Sequence, residues 1–219
     1  MRRIFEAELR HVGDDLVAMS QAVEQAMIRS GQALLTADHR VAQEVIVSDA
    51  RIDEMQRALD ERIVHILAQQ APVARDLRTL VSALRLSATL ERMGDLAKHI
   101  AEAARRAYPG KAIPAEIEPT FAKMVDAAVL AAKNTTKLLQ THDLELAERI
   151  GREDQVLDEL DQESTNEMLL PEWHGSVREA IDITLLSRFL ERFGDHATTI
   201  ARRIVFLVTG ELSVGVSHI

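Results

Sequence analysis

Leu90-Glu91-Arg92-Met93-Gly94-Asp95 returns as Leu190-Glu191-Arg192-Phe193-Gly194-Asp195, a displacement of 100 residues with five identities in six. Arg78 and Arg178 keep the same displacement. Upstream, a displacement of 105 places Leu34 on Leu139, Thr36 on Thr141, Asp38 on Asp143 and Ala42 on Ala147, and it carries Asp49-x-x-x-Asp53-Glu54 onto Asp154-x-x-x-Asp158-Glu159. The chain therefore reads as two copies of one unit. The five-residue difference between the two displacements is expected in a connecting loop, where length changes are tolerated.

Prolines mark the joints of this repeat. Pro109 and Pro114, in Tyr108-Pro109-Gly110-Lys111-Ala112-Ile113-Pro114, stop one helix and precede another, and Pro72 and Pro171 stand alone between long periodic stretches. Leu77, Leu80, Val81 and Leu84, then Leu90, Met93, Leu96, Ala97 and Ile100, recur at three and four residues, as one face of a helix requires. The spacing predicts helices over roughly 3–36, 39–69, 74–107, 116–141, 144–169 and 173–209, with Asp38 and Asp143 as N-caps. The expected fold is all-α: a first antiparallel three-helix bundle over residues 1–108, a linker at 109–115, a second bundle over 116–210 and a tail at 211–219.

Composition agrees. Of 219 residues, 47% are hydrophobic but only 3% aromatic, and 9 Gly and 5 Pro are too few for the frequent turns of an all-β chain. The absence of cysteine excludes disulfides, thiolate clusters and cysteine nucleophiles, so any metal must be held by oxygen or imidazole. A net charge of −9 weighs against direct nucleic-acid binding, including action as a DNA-binding repressor. The N-terminus lacks the apolar stretch of a signal peptide, and no uncharged run approaches the roughly 20 residues that span a bilayer. A cytoplasmic location is the expectation.

Four acid-x-x-x-acid pairs stand in register with the repeat: Asp49 with Asp53, Glu91 with Asp95, Asp154 with Asp158, and Glu191 with Asp195. Acids four apart lie on one helix face, about 5–6 Å between Cβ atoms, and repel. Glu91 continues the face begun by Leu77, Leu80 and Leu84, so its pair is expected to be partly shielded from water. A hard cation held by two such pairs in each half would turn the repulsion into attraction. The other reading keeps these acids as solvated groups, or as ion-pair partners of Arg92, Arg192, Arg78 and Arg178. Gly94 and Gly194, inside the motifs, point to close helix packing. His99 and His196 are weak ligand candidates, since Thr199 replaces the first in the second half and the second points off the acidic face. Glu8-Leu9-Arg10-His11 matches the Glu-x-x-His unit of di-iron bundles, but only once, where such bundles need it twice. No phosphate-binding Gly-rich loop or nucleophile elbow occurs, so no catalytic apparatus is expected.

These residues resemble the PhoU family of accessory and regulatory proteins of bacterial phosphate-specific transport. The resemblance runs along essentially the whole chain, most specifically in Gln70-Ala71-Pro72-Val73-Ala74-Arg75-Asp76-Leu77-Arg78, in Glu91-Arg92-Met93-Gly94-Asp95 and in Glu191-Arg192-Phe193-Gly194-Asp195-His196-Ala197. It implies two symmetrical three-helix bundles, a homodimer, and multinuclear iron or zinc clusters on the acidic pairs. It also implies a non-enzymatic role linking the phosphate ABC transporter to the phosphate-sensing histidine kinase, with membrane association through those partners. The phosphate-starvation regulon would then stay silent in abundant phosphate. Ala180 and Thr184 make the second stripe less apolar than the first, which places the expectation of metal on the first half before the second. The competing reading is a carboxylate-bridged metalloenzyme or metal-storage bundle.

Overall fold

A computed structural model describes residues 2–211, and over these the chain is six helices joined by short connections. They are α1 (Arg2–Thr36), α2 (His39–Gln70), α3 (Ala74–Ala107), α4 (Glu118–Thr141), α5 (Leu144–Leu169) and α6 (Val177–Thr209). Most of the tail expected at 211–219 lies outside the described residues. The two predicted N-caps are present: Asp38 accepts from the backbone N–H groups of Arg40 and Val41 at 3.0 and 3.1 Å, and Asp143 from those of Glu145 and Leu146 at 2.9 and 3.3 Å. Each satisfies donors that the first helical turn leaves open, a contribution of about 1 kcal/mol.

α6 starts four residues later than the periodicity suggests, because Ser176 and Glu179 close a capping box there: the Glu179 N–H donates to the Ser176 hydroxyl, and the Ser176 N–H to the Glu179 carboxylate. The five-residue offset between the halves also lies elsewhere than expected. The connection is longer in the second half, 170–176 against 71–73, and the difference is absorbed by the helices, chiefly α2 with 32 residues against 26 in α5. The linker is not a loose tether, since Ala112, Ile113 and Ile117 are buried in the common core.

α1, α2 and α3 pack on one another, as do α4, α5 and α6, and the two bundles join where α1 meets α4 and α3 meets α6. α2 and α5 touch only helices of their own bundle. Met19, Leu34, Leu90, Met93, Ile100, Phe121 and Phe193 are fully buried, and across the α1–α4 seam the Ser20 and Thr136 hydroxyls share a 3.0 Å hydrogen bond. The expected stripe on α3 is only partly core: Leu80 is buried, whereas Leu77 and Val81 are 41% and 38% exposed, because this first stretch lies against the end of α6 and not deep in the bundle.

Candidate functional site

The acidic pairs face one another within each bundle. α2 supplies Asp49 and Asp53 and α3 supplies Glu91 and Asp95, while α5 supplies Asp154 and Asp158 and α6 supplies Glu191 and Asp195. In the first bundle Asp49 is buried, and loss of water raises its pKa, assisted by the nearby charges of Asp53 and Asp95. Burial followed by Asp95, Asp53 and Asp49 raises that of Glu91. All four carboxylates are therefore within electrostatic reach of one another.

The cation that offsets them is in the chain. Lys98, one turn beyond Asp95, donates from Nζ to Asp49 Oδ2 at 2.6 Å and lies 3.7 Å from Asp95 Oδ1. The bond to Asp49 raises the lysine's pKa above its ordinary value. At the rim, Arg92 approaches Asp95 at 3.4 Å and Glu91 at 3.8 Å.

The second bundle has the same acids without that cation, because the repeat counterpart of Lys98 is Thr198. Glu191 is 8% exposed, and burial, with Asp195 next, pushes its pKa up to about 7. Arg188 donates to Glu191 Oε1 at 2.7 Å, but Oε2 is buried without a hydrogen-bond partner. Burial drives Asp154 up to about 6, with Asp195 and Asp158 adding to the rise. Thr198 lies close enough to Asp154 to oppose this, yet its buried hydroxyl does not reach hydrogen-bond geometry. Asp158 and Asp195 are exposed and form the mouth of the site.

The glycines explain how the acids come so close to the opposing helix. A Cβ on Gly194 would stand 2.3 Å from Asp154 Oδ1 and 2.6 Å from Leu157 Cδ1, and one on Gly94 would stand 3.0 Å from Ile52 Cδ1. Close packing and access to the carboxylate are thus the same feature in the second half. His99 bonds to Glu102 and stacks near Phe189, away from the acids, and His196 is half-buried with its pKa lowered by burial and by Arg192.

Among the described residues no three acidic or imidazole side chains converge as a ready-made ligand set. The donor chemistry nevertheless separates the halves. In the first, the Lys98 ammonium stands where a metal would have to enter. In the second, an unpartnered carboxylate oxygen and two carboxyls whose pKa values are raised chiefly by burial are what a hard cation would relieve. The first half, with the more apolar stripe, thus carries its own cation among the acids, and the second half has threonine at that place. Three contributors escaped sequence reasoning: Lys98, Thr198 and Asp161, whose charge adds to the rise at Glu191 and which accepts from Ser187. Aligning the halves at position 98 against 198 would have shown the first two.

A duplicated three-helix unit whose facing helices each present an acidic pair defines a class of all-α tandem-repeat proteins. The sequence matches the PhoU domain twice, over residues 16–104 and 121–204, and the chain belongs to the PhoU family. It is 40% identical, over 96% of its length and 99% of the relative's, to the phosphate-specific transport system accessory protein PhoU homolog 2 of Mycobacterium tuberculosis. It is 38% identical to homolog 1 of Mycobacterium leprae, over 96% of this chain and 95% of that one. The crystal structure of PhoU from Pseudomonas aeruginosa is similar with a TM-score of 0.86 at 30% identity, covering 94% of this chain and all of that one. The phosphate transport system regulatory protein PhoU from Streptococcus pneumoniae gives 0.84 at 25% identity, with 95% and 98% covered.

Proposed function

We propose that this protein is a non-enzymatic accessory regulator of phosphate uptake, linking the phosphate ABC transporter to the phosphate-sensing histidine kinase and keeping the starvation regulon silent when phosphate is abundant. The observation that carries this reading is near end-to-end similarity to relatives named as accessory proteins of phosphate-specific transport. No described helix is long and apolar enough to cross a membrane, and on this reading the transporter is met through a protein contact. Val177, Ile181 and Leu185 on α6, exposed at four-residue spacing, offer such a contact. The protein acts in the cytoplasm as a homodimer, and in the second bundle Asp154, Asp158, Glu191 and Asp195 would hold iron, zinc or another hard cation as a structural brace.

The test is alkaline phosphatase activity, as a starvation reporter, in a deletion strain grown in abundant phosphate. Activity rises on deletion and falls on complementation. Activity that stays low after deletion, with no second copy in the genome, rejects the regulatory reading.

A further inference from the structure

We propose that Arg78, Arg85 and Arg203 form a binding site for a phosphate-type oxyanion, in the groove between the first turns of α3 and the last turns of α6. The groove is open, with a volume of about 430 Å³, and these three guanidinium groups line it together with Leu77, Val81 and Phe206. Among the described residues none of the three has an ion-pair partner, and the Arg85 and Arg203 guanidinium groups donate no hydrogen bond. The Arg78 guanidinium lies over the Phe206 ring, 5.4 Å from its centre, and its Nε is buried without a partner. Gly210 makes room for it, since a Cβ there would stand 2.6 Å from Nη1.

Three like charges with no ion-pair partner among the described residues repel one another. Burial, with the Arg85 charge added, lowers the pKa of Arg203. Arginines are usually gathered so where an anion completes the arrangement.

The internal repeat supplies a comparison within the molecule. α3 and α6 run antiparallel, so the seam between them has two corresponding ends. At one end Arg106 of α3 donates to Asp182 of α6 at 3.1 Å, and the chain provides its own anion. At the other end the counterpart of Asp182 is Ser82, buried and neutral, while Arg85 and Arg203 replace Leu185 and Ala103. At that end the repeat has lost the acid, exchanged Arg106 for Phe206 and gained Arg85 and Arg203, a net gain of one cation with no acid to balance it.

The number of cations selects the ligand class. A single carboxylate balances one guanidinium, whereas a phosphate dianion offers acceptors to several forked donors at once. Leu77 and Val81 flank the arginines with exposed apolar surface that an ester substituent can cover. Inorganic phosphate and the headgroup of an anionic phospholipid share this chemistry. The site goes beyond the regulatory reading and does not depend on it, because binding is measured on purified protein and regulation on the starvation reporter.

The experiment is calorimetric titration of the full chain with inorganic phosphate at constant ionic strength, with flotation on vesicles of phosphatidylcholine alone or mixed with phosphatidylglycerol. Wild type and Arg178→Gln, the exposed repeat counterpart of Arg78, bind one of the two probes. Arg85→Gln with Arg203→Gln weakens that binding by about tenfold or more, as loss of charge-assisted bonds predicts. Arg203→Lys, which keeps the charge and loses the fork, falls between. Circular dichroism confirms the fold, and Arg85→Gln alone, an exposed change, is read if the double variant does not fold. Binding of phosphate assigns a small-molecule site, and binding only of the anionic vesicles assigns a lipid headgroup. Binding of neither probe, or equal binding in wild type and the arginine variants, overturns the proposal.

Discussion

Lys98 Nζ on α3 lies 2.6 Å from Asp49 Oδ2 on α2, an ion pair with the carboxylate almost wholly out of water and the ammonium mostly so. Removing one partner of such a pair leaves a buried charge uncompensated. Lys98→Met is expected to destabilise the protein by about 2 kcal/mol at neutral pH, less than the full range for buried pairs because the lysine keeps some solvent. Adding Asp49→Asn should recover most of the loss. Urea unfolding of the two single variants and the double variant measures the coupling, and additive effects would show that the pair contributes nothing.

Glu191 behaves in the opposite sense. Its folded pKa, about 7, is above the ordinary glutamate value of 4.5, so the folded state holds the proton more tightly than the unfolded chain. Stability from this group is complete below about pH 4.5 and is lost as pH rises through about 7. In metal-free protein Glu191→Gln is expected to add up to roughly 3 kcal/mol at pH 8 and almost nothing at pH 4. Denaturant titrations with chelator at the two pH values test this, and an equal effect at both would contradict it.

Cation binding should follow the same carboxyls. Since ligands must shed protons before they coordinate, zinc or ferrous iron uptake is expected to strengthen from pH 6 to pH 8. Asp154→Asn and Glu191→Gln should each lower it, whereas Lys98→Thr, which makes the first bundle resemble the second, should raise it. Elemental analysis after dialysis reads the outcome, and equal metal content in wild type and all three variants removes these residues as ligands.

The glycines give a graded prediction. Gly194→Ala drives a methyl group against Asp154 and Leu157 and should destabilise by about 1–3 kcal/mol. At Gly94 the neighbour is the end of the Ile52 side chain, which can shift, so Gly94→Ala should lie near zero as the alanine's helix preference offsets the contact. Gly151, with nothing near its missing Cβ, should gain up to about 1 kcal/mol as alanine. Thermal unfolding of the three variants gives the ranking.

Much of the fold was legible in the sequence because its signals are local or repeated. Asp38 and Asp143 cap helices through contacts two and three residues away, and Leu90-Glu91-Arg92-Met93-Gly94-Asp95 announces its copy without reference to the fold. The acidic pairs were visible as spacing, and the structure places each opposite its partner pair. What separates the two sites was not visible. Lys98 reads as a surface lysine until α2 brings Asp49 beneath it, and the exposure of Leu77 and Val81 depends on where α6 ends. The start of α6 differs for another reason: the periodic pattern runs back through Trp173, whereas Ser176-x-x-Glu179 caps the helix within it.

The outer position of α2 and α5 sets different rules for how the two copies can drift apart. A change in α1, α3, α4 or α6 must suit two bundles at once, whereas α2 and α5 answer only to their own pair of neighbours. Length has drifted in both places, since α1 and α4 differ by 11 residues and α2 and α5 by six, so what the outer position frees is the choice of surface residues and not helix length. Duplication in this architecture leaves one helix of each copy free to specialise, and each of those helices carries half of its copy's acids.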